Sequence, residues 1–115
     1  MKFGITYKQG EIVVVPFPFS DLSSIKQRPV LVLSKNIDNE LSEDLITCGI
    51  TSNIKDVKHS ILIENENLID GNIPKTSRIK VDKIFTVSQN VIRKRVARIN
   101  KETFEKVKAE FFKLV

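Results

Sequence analysis

The sequence predicts a mainly β, α+β protein: a small, strongly curved sheet or barrel closed by one C-terminal amphipathic helix. Three observations lead there. Short runs rich in β-branched and aromatic residues succeed one another along the chain, separated by Gly, Pro, Asn and Ser turn chemistry. The last stretch changes its apolar spacing from two to the helical 3.6. The chain has 115 residues, and domains typically run ~100–150, so about six strands must share one interior. Residues 1–115 read as a single domain, without internal repeat, low-complexity tract or linker.

The first strand is Glu11–Phe17 (EIVVVPF), opened by Gly10. Pro16 and Pro18 lack ladder donors, which predicts the end of pairing, an edge or a bulge. Pro18 to Gln27, with Ser20, Asp21, Ser23 and Ser24, reads as a polar loop longer than a hairpin needs, the kind that often carries function. Pro29–Ser34 (PVLVLS) is almost continuously apolar and predicts a strand buried on both faces. Lys35 to Asp44 reads as a connection. Leu45–Thr51 (LITCGIT) follows as the third strand, with Gly49 marking a bend or close approach. His59–Glu64 alternates and gives the fourth.

Asn65 to Pro74 is turn-rich, with room for one short helical turn. In Ser77–Val87 the period-2 pattern slips once near Asp82 and resumes, as in a strand with a bulge. Val96–Ile99 is a short sixth strand. Asn100 then offers a helix N-cap with Glu102 in the first turn. Phe104, Val107, Phe111 and Leu114 recur at helical spacing, and that stripe reads as a packing face.

The formal net charge is +5, unevenly spread. Residues 35–75 carry four basic against eight acidic side chains, whereas 76–115 carry eleven against four, including the cluster Arg93, Lys94, Arg95, Arg98. A basic excess suits a polyanion partner and also plain solubility. The longest apolar run, Ile12–Phe19, holds two prolines and falls short of the ~20 residues a membrane helix needs. With no secretory signal visible in Met1 to Glu11, the expected compartment is the cytoplasm, with no membrane partner. Cys48 and His59 are the only cysteine and histidine. No disulfide or four-ligand Cys/His zinc site can be assembled, and no metal or other cofactor is expected. Cys48 reads as a small buried residue and His59 as a surface strand position.

Nucleotide-binding loops, zinc-protease motifs and nucleophile elbows are all missing. What remains is a set of cations and hydroxyls at strand ends. Arg28 precedes Pro29, which steers it into extended geometry, so its guanidinium leaves a restricted site where loop meets strand. It can present a donor fork to phosphate or salt-bridge Asp21 or Glu11. Thr51 and Ser52 close the third apolar run, either as hydroxyl donors to an oxyanion or as ordinary strand terminators.

Gly10–Asp21 (GEIVVVPFPFSD) followed by Lys26–Ser34 (KQRPVLVLS) resembles the MazF/PemK family of toxin endoribonucleases. The likeness continues in Ile50-Thr51-Ser52 and in Thr76–Val87 (TSRIKVDKIFTV), and in order and spacing spans nearly the whole chain. The resemblance implies an SH3-like barrel, a homodimer, metal-independent cleavage of single-stranded RNA, and a cognate antitoxin with an acidic disordered tail that blocks the groove. It assigns the catalytic arginine to Arg28, the catalytic hydroxyl to Thr51 and the RNA-contacting loop to Ser20–Gln27. The loop lacks the glycine-rich stretch of many members, so RNA sequence preference is not carried over.

The implied chemistry is in-line attack of a 2′-OH on the adjacent phosphorus, leaving 2′,3′-cyclic phosphate and 5′-OH ends. Arg28 and Thr51 are suited to stabilise the non-bridging oxygens, since a guanidinium stays protonated in proteins and makes a poor base. Ser20, Lys26, Gln27 and Ser52 are the candidate RNA-binding residues, and Phe17 and Phe19 read as packing residues. Two rival readings are a non-catalytic SH3-like module that binds nucleic acid or peptide and a gyrase-poisoning toxin of the same fold.

Overall fold

The computed structural model describes residues 6–18 and 25–115. Seven strands form one antiparallel sheet among the described residues: β1 (Glu11–Pro18), β2 (Ile25–Val32), β3 (Asp44–Thr51), β4 (Ser60–Ile63), β5 (Leu68–Gly71), β6 (Ser77–Ser88) and β7 (Lys94–Ile99). Their spatial order is β4-β6-β3-β2-β1-β7-β5. A short helix α1 (Asn36–Leu41) joins β2 to β3, and α2 (Lys101–Phe112) ends the chain.

The sheet curls because it must bury both faces. Along β1 and β2, successive residues enter opposite clusters: Ile12 and Leu31 one, Val13 and Val30 the other. That explains the unbroken apolar run of the second strand. The first cluster unites Ile63 of β4 with Ile99 of β7 and Leu68 of β5, strands from opposite edges of the sheet. The result is an antiparallel half-barrel. Helix α2 stoppers it: Val107 is buried in that cluster, Phe104 and Phe111 pack against it, and Leu114 reaches solvent. Asn100 caps the helix as expected, its Oδ1 accepting the Thr103 N–H at 2.8 Å.

Three local expectations are corrected, and at Pro16 and Pro18 the structure takes the edge alternative rather than the end of pairing. Pairing continues past Pro16 to Pro18↔Ile25. The Val14 carbonyl accepts the Arg93 N–H, so the even positions of β1 face β7, which pairs only as far as Val14. The prolines therefore withhold donors from an unpaired flank. Because β2 begins at Ile25, Lys26 and Gln27 lie on a strand rather than in the long loop. The turn-rich segment does hold a short 3-10 turn, Asn65–Asn67, but then pairs as β5. Its Gly71 has φ +77, and a Cβ there would lie 2.3 Å from the Val96 carbonyl oxygen, so close strand approach requires glycine. His59 is in a turn before β4 at φ 61, with Nδ1 3.1 Å from Glu110 Oε1, not on the strand.

The bulge expected near Asp82 is present. Cys48 pairs with Ile84 but Gly49 with Lys80, leaving Val81, Asp82 and Lys83 without counterparts on β3. Cys48 is buried, and desolvation aided by Asp82 pushes its thiol up to about 12, which fits a packing role.

Candidate functional site

The first half of β2 is exposed up to Arg28, and burial begins at Pro29 and Val30. Between β2 and β3 the ladder runs from Val32↔Thr47 to Val30↔Gly49. Continuing that register by two residues sets Arg28 beside Thr51. Two residues separated by 23 positions in sequence thus lie at the neighbouring ends of two strands, with Val15 of β1 opposite Arg28 on the other side.

A cavity of about 1030 Å³ opens there. Five of the six residues singled out from the sequence line it: Arg28, Thr51, Lys26, Gln27 and Ser52. Ser20 lies outside the described residues, as does Phe19. Phe17 packs as expected, against Phe85 at a ring separation of 5.1 Å.

The electrostatics are one-sided. Lys26, Arg28, Lys75, Arg93 and Lys94 line the cavity, and among the described residues no carboxylate does. Cations sharing a concave, partly apolar wall raise the local potential and favour an anion. Arg95, next in sequence, behaves differently. Its Nε meets the buried Glu11 carboxylate, and its terminal nitrogens reach Asp70 at 2.8 and 3.0 Å. The hydrogen bonds it donates to Asp70 and Glu11 hold its pKa above the ordinary arginine range, and the same bridge holds the Asp70 carboxyl below its usual range. Glu11, one of the two carboxylates weighed as a partner for Arg28, is thus taken by Arg95; the other, Asp21, lies outside the described residues.

Thr51 has a useful polarity. Its Oγ1 accepts the Asn53 N–H at 3.1 Å, leaving the O–H to donate to an anion. Arg78 is its cross-strand partner on β6. That guanidinium is taken by the Ile54 carbonyl and Ser60 Oγ, at 3.0 and 3.1 Å, and by Asp56 at 3.4 Å. Arg78 thus tethers the connection that starts at Ser52.

The sequence reading missed Asn72, Lys75 and Ser77, which complete the wall. They arrive because β5 pairs with β7 and carries the following segment over the cavity, while Ile73 N–H is fixed by Asn65 Oδ1 at 2.8 Å. No local pattern signals that; only the sheet order does.

A curled β half-barrel with a cleft lined by cations and hydroxyls has the wall chemistry that suits a polyanion. The chain belongs to the PemK-like, MazF-like toxins of type II toxin–antitoxin systems, whose family model matches residues 8–115. Among solved structures it is similar to a MazE-MazF complex from Deinococcus radiodurans, with TM-score 0.78, 17% identity, and 96% of each chain covered. It is also similar to an endoribonuclease from Mycobacterial species, with TM-score 0.76, 16% identity, and 97% of this chain and 93% of that one covered. A Mycobacterial endoribonuclease in complex with its cognate antitoxin matches with TM-score 0.71 and 16% identity over 93% of this chain and 92% of that one. At these identities the likeness is one of fold. Among curated proteins none matches.

Proposed function

We propose that this protein is the toxin of a toxin–antitoxin pair and a metal-independent endoribonuclease that cleaves single-stranded RNA. The observation that carries the reading is the juxtaposition of Arg28 and Thr51 on adjacent strand ends, in a cavity lined by five cations and no described carboxylate. The family and the printed activities of similar structures support it.

The chemistry follows from the donors available. With a phosphodiester between them, the Arg28 guanidinium and Thr51 hydroxyl donate to the non-bridging oxygens, where charge builds in the transition state. The 2′-oxygen forms its bond to phosphorus as the bond to the 5′-oxygen breaks. The proton lost from the 2′-OH is balanced by one gained at the 5′-oxygen, leaving 2′,3′-cyclic phosphate and 5′-OH ends. Lys26, Gln27 and Ser52, together with Ser20, hold the strand in line. Such a reaction needs no metal, and the cavity's wall offers cations and neutral polar groups, a poor donor set for one.

The toxin acts as a cytoplasmic homodimer. Its antitoxin silences it by laying an acidic, disordered segment into the same cationic cavity. Incubating the purified protein with a long single-stranded RNA in excess chelator tests the activity. Discrete products with 5′-OH and cyclic phosphate ends are expected. RNA bound without products, or broken DNA with intact RNA, would overturn it.

A further inference from the structure

A second cavity, of about 290 Å³, adjoins the first. Four lining residues are common to both: Arg28, Pro29, Ile50 and Thr51, the neighbouring ends of β2 and β3. The larger cavity touches Ile12, Ile50 and Ile73 of one core cluster, whereas the smaller touches Phe17 and Phe85, which pack against the other. The two therefore open on opposite faces of the sheet. The candidate catalytic pair sits on the saddle between them.

The smaller cavity is built by two features of the sequence. Gly49 leaves its floor open: a Cβ there would already lie 3.5 Å from Phe85 Cε2 and 3.6 Å from Lys83 Cβ, so a larger side chain would fill the space. The β6 bulge supplies its charge. Three apart on a regular strand, Lys80 and Lys83 would point to opposite faces, but the unmatched residues 81–83 turn both into one cavity. Asp82, between them, does not line it, and neither does any other described carboxylate. Two cations beside a pair of half-buried phenyl rings are what a nucleotide's phosphate and base require. The volume lies at the bottom of the ~300–1,000 Å³ range of ligand pockets, enough for one small planar group and not for a run of chain.

We infer that this cavity is a nucleotide subsite: it takes the RNA nucleotide next to the scissile phosphodiester, its base against Phe17 and Phe85 and its phosphate on Lys80 and Lys83. The strand then crosses the saddle from one cavity to the other, which pulls the scissile linkage across Arg28 and Thr51. The inference rests on the endoribonuclease reading and extends it to how the strand is positioned.

The test is binding of an uncleavable 2′-O-methyl oligonucleotide, long enough to cross the saddle, by fluorescence anisotropy over a range of salt, alongside cleavage kinetics. Lys80→Ala/Lys83→Ala should weaken binding about tenfold and reduce the salt slope by roughly 0.7 per lost phosphate contact. In cleavage it should lower kcat/KM by about the same factor. Gly49→Val should weaken binding without changing the salt slope, since it occludes the space but removes no cation. Unchanged affinity and slope in the lysine variant would overturn the subsite. If that variant cleaves with wild-type kcat/KM, the subsite fails and the endoribonuclease reading stands. If wild-type protein binds in a lysine-dependent way but does not cleave, the subsite stands and the activity fails.

Discussion

Two arginines flank β1 and do opposite things. Val13 pairs with Arg95 on β7, and Val15 pairs with Arg28 on β2. Around Arg95 the chain has placed two carboxylates, one buried, and the guanidinium is spent on holding β1, β5 and β7 together. Around Arg28 it has placed further cations and no described carboxylate. Packing of like charges costs stability, so the second arrangement is useful only if an anion from outside completes it. The basic cluster of the sequence divides along the same line: Arg93 and Lys94 join the cavity, whereas Arg95 is neutralised by Glu11 and Asp70. Net charge alone could not separate these roles.

The sharpest way to break the comparison is Arg28→Ala. It should lower RNA cleavage by about 10²–10³, the usual cost of removing one donor to a developing oxyanion. Stability should move by no more than about 0.5 kcal/mol, as for an exposed residue. Arg28→Lys should not restore the rate, because an ammonium lacks the planar fork. Thr51→Ala should act in the same direction. Single-turnover cleavage and urea unfolding check both halves; a strongly destabilised Arg28→Ala would make Arg28 structural like Arg95.

The converse substitution is Glu11→Ala. Glu11 Oε1 accepts the Lys8 N–H at 2.6 Å and its other oxygen holds Arg95, all at a buried position. Leaving those donors unsatisfied should cost about 2 kcal/mol in urea unfolding, with cleavage per folded molecule unchanged. A smaller loss is expected from Asn100→Ala, which removes the α2 cap and should cost about 1 kcal/mol. That change lies away from both arginines and should leave their contrast intact.

Much of this was legible in sequence because it is local. Apolar runs, the Gly10 and Gly49 positions, the β6 slip and the Asn100 cap each follow from patterns within a few residues. Elements whose support is tertiary were not. β5 presents exposed Ile69 and Asp70, and pairs only because Gly71 lets β7 approach. α1 carries a buried Asn39, whose amide donates to the Tyr7 and Ser34 carbonyls rather than advertising an apolar face. At the candidate site, Arg28 and Thr51 were found one by one, from a proline and a strand end. Their adjacency, Lys75 in the wall and the pairing of Arg95 with Glu11 depend on strand order, which no window of sequence contains.

The smallest effect sharpens the contrast through pH. Arg95, first by its hydrogen bonds, holds the Asp70 carboxyl below the usual carboxylate range. A folded-state value below the unfolded one stabilises the protein above the unfolded pKa, about 3.9 for Asp, and that contribution disappears as pH falls through the folded value. Glu110 behaves likewise, held low by Lys113 and then by His59. Unfolding free energy followed from about pH 5 downward should therefore fall less steeply in Asp70→Asn than in wild type. Arg28→Ala should keep the wild-type slope, because the cavity it lines has no described carboxylate to titrate. If Arg28→Ala flattens the acid limb instead, a carboxylate faces Arg28 after all, and the two arginines are alike.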